Sequence, residues 1–343
     1  MIKYSQKINE KNVSIESLNF LPKRPFPFSD ESLGSYIVRL ADANGYTSSK
    51  LLCKEAGLIT GFSKSTVIIR LNMIDTTKWN LKKLSIIGKV SEIQLLKLTF
   101  NTFTREIPEY ALHNKKRKIC PECLNEPKVY GRKVWEINLV TICTRHKCLL
   151  VDACPNCSGL LHWDNISKKH CNCGYDLSQI KPLIVAKNEI QLSNYIELYS
   201  NKYLISKEEE PSLHNHFFDF LNVIIFLIGQ IFTQSQSETD NRSWSGSIFR
   251  SMRNQELHLL IKLVLSLLKN WPSNFLDFLQ KFNLEKMDAM LLRKRKNAIT
   301  ICFFPFDYNE FCEDGFIFSL DKLKIFIMAR TEIIQDYFNR PQR

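Results

Sequence analysis

Between Cys120 and Cys173 the chain places eight metal-type donors in a doubled pattern, and no other feature limits its fold so strongly. The first set is Cys120, Cys123, Cys143 and His146, and the second is Cys154, Cys157, Cys171 and Cys173. The two halves of each set are separated by 19 and 13 intervening residues, close to zinc-ribbon and treble-clef spacing. Proline follows the first cysteine of each opening knuckle, at Pro121 and Pro155, and stiffens it. Four protein donors saturate a tetrahedral ion, so each set describes a structural Zn2+ site with no open position for catalysis. The reading is therefore two structural zinc ions whose binding contributes directly to folding. His146 is preferred as the eighth ligand because Cys-x-x-His mirrors the opposite knuckle. Cys148, close behind it, offers an alternative donor and is otherwise a small core residue. His162 and His170 are read as surface or DNA-facing positions, or as positions with no role, rather than as ligands.

Cysteine usage also bears on the compartment. Eight of the 11 cysteines lie in this block, seven of them at metal spacing, with Cys53, Cys302 and Cys312 scattered. The opening residues, Met-Ile-Lys-Tyr-Ser-Gln-Lys, contain no apolar stretch of signal-peptide type. Reduced, metal-bound thiolates and a cytoplasmic location are expected. The longest apolar run, 217–232, is interrupted by Asp219, Asn222 and Gln230 and reads as a buried helix rather than a membrane span.

The periodicity predicts a mainly α protein in three parts after a flexible lead at 1–20. An N-terminal helical, helix-turn-helix-like domain covers 21–118. A central tandem zinc-ribbon-like module covers 119–180, and a C-terminal helical domain covers 181–343. The extended stretch from Leu21 to Phe28 is followed by a helix capped by Ser29 or Asp30 and closed at Asn44-Gly45. A short helix over Ser48–Glu55 ends at Gly57. At 75–101 a helical hairpin is expected, with one helix over Thr77–Ile86, a turn at Gly88 and a capping box formed by Ser91 and Gln94. Further helices are expected over 187–200, 212–233, 254–269, 273–282 and 320–338, and a strand over 298–304.

With 47 Lys+Arg against 35 Asp+Glu, the net charge of +12 favours a polyanionic partner. Basic clusters that could line a phosphate path are Lys115, Lys116, Arg117 and Lys118; Lys168 and Lys169; and Arg293, Lys294, Arg295 and Lys296. A basic–aromatic patch joins Arg242, Arg250 and Arg253 with Trp244. The bland reading of any one cluster is a solvated charged face. No catalytic constellation stands out: there is no phosphate-binding glycine loop, His-Glu-x-x-His or nucleophile elbow. A nuclease-type acidic cluster assembled only in three dimensions is the remaining enzymatic reading.

Two blocks of residues carry a family resemblance. The first runs Arg24-Pro-Phe-Pro-Phe-Ser-Asp30-Glu-Ser-Leu-Gly-Ser-Tyr36, followed by Arg39-Leu40-Ala41 and Asn44-Gly45-Tyr46. The second is the cysteine block, including Leu124, Trp135, Leu149, Asp176 and Leu177 beside the donors. Together they resemble the TniQ family, which includes target-selection proteins of the TnsD type. The resemblance spans about 21–180; the C-terminal half is similar only in its helical character and the Trp271-Pro272 step. It implies a non-enzymatic adaptor in DNA transposition, linking target DNA or an RNA-guided CRISPR Cascade complex to an AAA+ ATPase transposition regulator (TnsC-like). Some members of the family act as homodimers on the guide complex. The alternative is a stand-alone zinc-containing, sequence-specific DNA-binding regulator built on the 75–101 hairpin.

Overall fold

The computed structural model describes residues 20–58, 81–100, 111–112, 116–162, 169–203, 220–229, 231–232, 246–270 and 273–274. Among these the protein is mainly helical, with its cysteine clusters in the middle of the chain. The expected strand at 298–304 and helix at 320–338 lie outside the described residues, as does most of 273–282.

Helix α1, Leu33–Ala43, buries Leu33, Tyr36, Ile37 and Leu40. Its N-cap is Ser32, whose hydroxyl accepts the Ser35 N–H at 3.2 Å, rather than Ser29 or Asp30. The start is set by Glu31, which is fully buried just ahead of it. The Glu31 carboxylate accepts from Ser35 Oγ at 2.8 Å, from Arg39 Nε at 2.8 Å and Nη2 at 2.7 Å, and from the Phe28 N–H at 3.1 Å. A forked guanidinium contact of this kind is the strong form of ion pair. Arg39 also donates to Phe26 O at 2.9 Å, and Asn44 Nδ2 donates to Lys23 O at 2.6 Å. The extended proline-containing lead is thus clasped at both ends of the helix. Asn44 and Gly45, the latter at φ +73°, close α1 as the sequence predicts.

Helix α2, Ser49–Glu55, is capped by Ser48 and followed by Gly57 at φ +69°. Helices α3, Leu81–Gly88, and α4, Glu92–Lys97, form the hairpin expected in this region. The capping box is present: Ser91 Oγ accepts the Gln94 N–H at 3.2 Å, and Gln94 Oε1 accepts the Ser91 N–H at 3.1 Å. The turn residue, however, is Lys89 at φ +49°, while Gly88 ends α3. Glycine serves a different purpose at 88, because a Cβ there would stand 3.1 Å from Tyr36 Oη and 3.6 Å from Leu40 Cδ2. It is the spacer that lets α3 approach α1.

The one-turn helix α5, Pro121–Leu124, precedes the strands β1, Ile142–Cys143, and β2, Cys148–Leu149, which pair antiparallel with Cys143 opposite Cys148. Leu183 and Val185 extend this hairpin, through Leu149 N–H to Leu183 O at 2.8 Å and Val185 N–H to Lys147 O at 3.0 Å. The C-terminal part supplies α6, Gln191–Tyr203, the helical run α7 at 220–229, α8, Gly246–Ser251, and α9, Asn254–Leu268. Helix α8 was not expected from periodicity, since six residues are too few to establish a period.

Two hydrophobic cores organise these elements. One combines α6–α9 residues such as Ile196, Phe220, Ile228, Phe249 and Ile261 with Trp135, Cys120, Cys123, Cys143, Cys148 and Leu150. The other combines α1–α4 residues such as Leu33, Leu52, Leu84 and Leu95 with Leu161, Leu177, Cys154 and Cys171. Both cores therefore take residues from the cysteine block as well as from a helical segment. Arg132 ties the parts together, reaching Asp30 at 3.2 Å and Glu197 on α6 at 3.0 Å.

Lys133 is buried beside this junction, its ammonium donating to Lys97 O at 2.8 Å and Thr99 O at 3.3 Å, at the end of α4. Burial pulls it down to about 8, with Asp30 opposing the shift. Between that value and the ordinary lysine range of about 10.4, the unfolded chain holds a proton that the folded chain has released. Stability should accordingly rise as pH is raised from 8 towards 10.4. Urea unfolding across this window should give a positive slope that Lys133→Met flattens, with an amplitude of about 3 kcal/mol.

Candidate metal centres

In the first centre, Cys120 stands at the N-cap of α5 with Pro121 as the first helical residue, and Cys123 follows on the same turn. Cys143 ends β1, and Lys147 at φ +53° turns the chain back, its N–H bonded to Cys143 O at 2.8 Å. This tight loop swings His146 over the sulfurs. Its Nδ1 lies 3.4 Å from Cys120 Sγ, 3.3 Å from Cys123 Sγ and 3.7 Å from Cys143 Sγ, and the two thiols Cys123 and Cys143 are 3.9 Å apart. All four donor atoms lie within 4.8 Å of one another. A tetrahedron with metal–sulfur bonds of about 2.3 Å has sulfur–sulfur edges of about 3.8 Å, so the set fits one ion.

Cys148 is fully buried and its Sγ lies 3.4 Å from Cys120 Sγ, outside the four-donor group. It is a core residue, and also a neighbour of one ligand.

The second centre holds Cys154, Cys157, Cys171 and Cys173, again with all four sulfurs within 4.8 Å. Cys154 and Cys173 are 3.7 Å apart, and Cys157 and Cys171 are 3.6 Å apart. Left-handed residues shape both knuckles: Ser158 at φ +56° after the first and Gly174 at φ +86° after the second. The Tyr175 N–H, chiefly, and the Asn156 amide pull the Cys173 thiol down to about 6, favouring the thiolate a metal requires. Cys154 and Cys171 are buried, whereas Cys157 and Cys173 are exposed. No described cysteine is in a disulfide.

The basic run ahead of the first centre behaves differently from its expected role as a phosphate path. Lys116, Arg117 and Lys118 are all buried, at 1%, 2% and 1% exposure. Lys116 pairs with the Asp152 carboxylate at 2.5 Å and donates to Met252 O. Arg117 pairs with Glu136 at 3.3 Å. Lys118 donates to Ile137 O at 2.8 Å, to Asn138 O at 3.3 Å and to Val140 O, matching the three N–H groups of an ammonium. Burial pushes all three below their ordinary values. The reason is topological: this stretch threads the interior, with Arg117 N–H bonded to Leu161 O at 2.8 Å and Ile119 paired with Val151. None of the three side chains can reach a phosphate in this fold.

Of the other candidate basic residues, Lys169 is half-buried at φ +57°, with its carbonyl accepting the Leu177 N–H at 2.8 Å. Arg250 is half-buried on α8, and Arg253 precedes α9 with Nη2 donating to Ser158 O at 3.0 Å. His162 and His170 are exposed. Lys115, Lys168, Arg242, Arg293, Lys294, Arg295 and Lys296 lie outside the described residues.

Residues that sequence reasoning passed over dock the helices onto the metal block. Asp152, between the two centres, accepts the Asn254 N–H at 2.8 Å and so places a carboxylate at the N-terminus of α9. The Asn254 amide donates to Thr141 O at 2.9 Å and Leu150 O at 2.6 Å. His258 bridges Thr141 Oγ1 at 3.1 Å and Glu189 at 3.1 Å. No local pattern marks these residues, because each acts on a partner distant in sequence.

Helices gathered around two closed sets of cysteine and histidine donors, each of which could hold a metal ion, define the class of this mainly helical protein. The TniQ family model matches residues 22–150, and the span from the proline-containing lead through the whole first centre belongs to that family. TniQ proteins are non-catalytic adaptors associated with DNA transposition. None of the curated proteins compared with the chain matches it. Among the described residues no helix is long and apolar enough to cross a membrane.

Proposed function

We propose that this chain is a target-selection adaptor of DNA transposition that holds two structural zinc ions. Thiolate and imidazole donors at tetrahedral spacing suit Zn2+ and disfavour the oxygen-seeking Mg2+ and Ca2+. Each ion would be held by Cys120, Cys123, Cys143 and His146, or by Cys154, Cys157, Cys171 and Cys173, and would cross-link distant segments without supplying a reactive water. On this reading the zinc-bearing scaffold presents its surfaces to target DNA or a Cascade complex on one side and to a TnsC-like AAA+ ATPase on the other. A second copy of the chain is compatible with that arrangement.

One observation carries the reading: the TniQ match at 22–150 contains α1–α4 and all four donors of the first centre in a single span. Co-purification of the full chain with the AAA+ ATPase, the Cascade subunits and the DNA of its own element is the direct test. Stable capture of the ATPase together with target DNA or a guide complex is expected. Absence of all three interactions would reject the adaptor reading, and binding to a specific promoter without the ATPase would favour the stand-alone regulator instead.

A further inference from the structure

The first centre groups three thiols and one imidazole, and a further thiol, Cys148, stands against Cys120 at 3.4 Å. Something must settle which fourth donor is used. The ring of His146 shows how. Its Nδ1 faces three sulfurs at 3.3 to 3.7 Å, while Nε2 on the far side lies 3.2 Å from Glu126 Oε1. An imidazole that ligates through Nδ1 must carry its hydrogen on Nε2, and a carboxylate there fixes that tautomer and the ring's direction.

Glu126 is itself held. Its N–H bonds to Cys123 O at 3.3 Å, closing the turn after α5, and Arg145 Nη2 grips its Oε1 at 2.7 Å. Arg145 and His146 are adjacent in the β1–β2 loop, so the carboxylate receives two consecutive side chains of that loop. We propose that Glu126 is a positioning residue that selects His146 over Cys148 as the fourth ligand, giving a three-cysteine, one-histidine centre. The selection matters electrostatically. Three thiolates and a neutral imidazole around a divalent ion leave one net negative charge, and four thiolates would leave two.

This inference rests on the metal reading above, and the experiment keeps the two apart. Cobalt(II) replaces zinc in the full-length protein, and the thiolate-to-cobalt charge-transfer absorption counts sulfur ligands while chelator competition gives affinity. Two equivalents bound by the parent protein sustain the metal reading whatever the variants do; none would end both claims. Glu126→Ala should weaken cobalt binding at one centre by about 10–100-fold, or raise the charge-transfer band as Cys148 replaces His146. Glu126→Gln, which keeps an acceptor oxygen, should restore the parental spectrum. Cys148→Ala alone should leave the spectrum unchanged, and in the Glu126→Ala background it should abolish any added thiolate signal. Parental spectrum and affinity in Glu126→Ala would overturn the proposal. So would a lowered thiolate count in Cys148→Ala alone, since Cys148 would then already be a ligand.

Discussion

Replacing Cys120 with alanine is expected to remove one metal equivalent and to dismantle the core formed by α6–α9. Cys120 is fully buried in that core with Cys123, Cys143 and Trp135, so its loss takes a ligand and an internal packing group together. Structural zinc sites contribute about 10–16 kcal/mol of apparent binding free energy. That is comparable to the about 5–15 kcal/mol by which a domain is stable, so a disabled centre leaves little to hold its surroundings. Elemental analysis should fall from two equivalents to one, and the circular-dichroism melt should lose cooperativity. Cys157→Ala makes a useful contrast, because that thiol is exposed and its removal opens no interior cavity. Two retained metal equivalents and a parental melt in the Cys120 variant would contradict the assignment of the first centre.

The second large effect is expected at Asp152. Its carboxylate pairs with buried Lys116 and caps the first N–H of α9, so Asp152→Ala strands an interior ammonium and a helix terminus at once. Breaking a buried ion pair from one side typically costs about 3–5 kcal/mol, because the remaining charge stays desolvated. Urea unfolding should show a midpoint shift of that size. The double variant Lys116→Met with Asp152→Leu should recover most of it, since apolar replacement of both partners removes the stranded charge. If the double variant were as unstable as the single one, the cost would lie in the cap of α9 rather than in the pair.

What could be read in the sequence was what depends on neighbours close along the chain. The knuckles at Cys120–Cys123 and Cys154–Cys157, the capping box of Ser91 and Gln94, and the closure of α1 at Gly45 each involve residues a few positions apart. The basic run was misread for the opposite reason. Lys116 meets Asp152 across 36 positions and Met252 across 136, and nothing within the run announces either partner. Gly88 belongs to the same class, since its role is set by Tyr36 and Leu40 on another helix. The cap of α1 shows a subtler failure. Ser29, Asp30 and Ser32 are all competent caps by chemistry, and the choice falls to Glu31, whose burial against Arg39 fixes where the helix begins.

One connection carries a mechanical implication. The chain leaves the first core at Leu150 and meets the second from Val151 to Cys154, with Asp152 in the crossing pinned to Lys116 and α9. So short and well anchored a crossing transmits torque with little slack. A pull applied to either half would be felt by the other as a change of orientation.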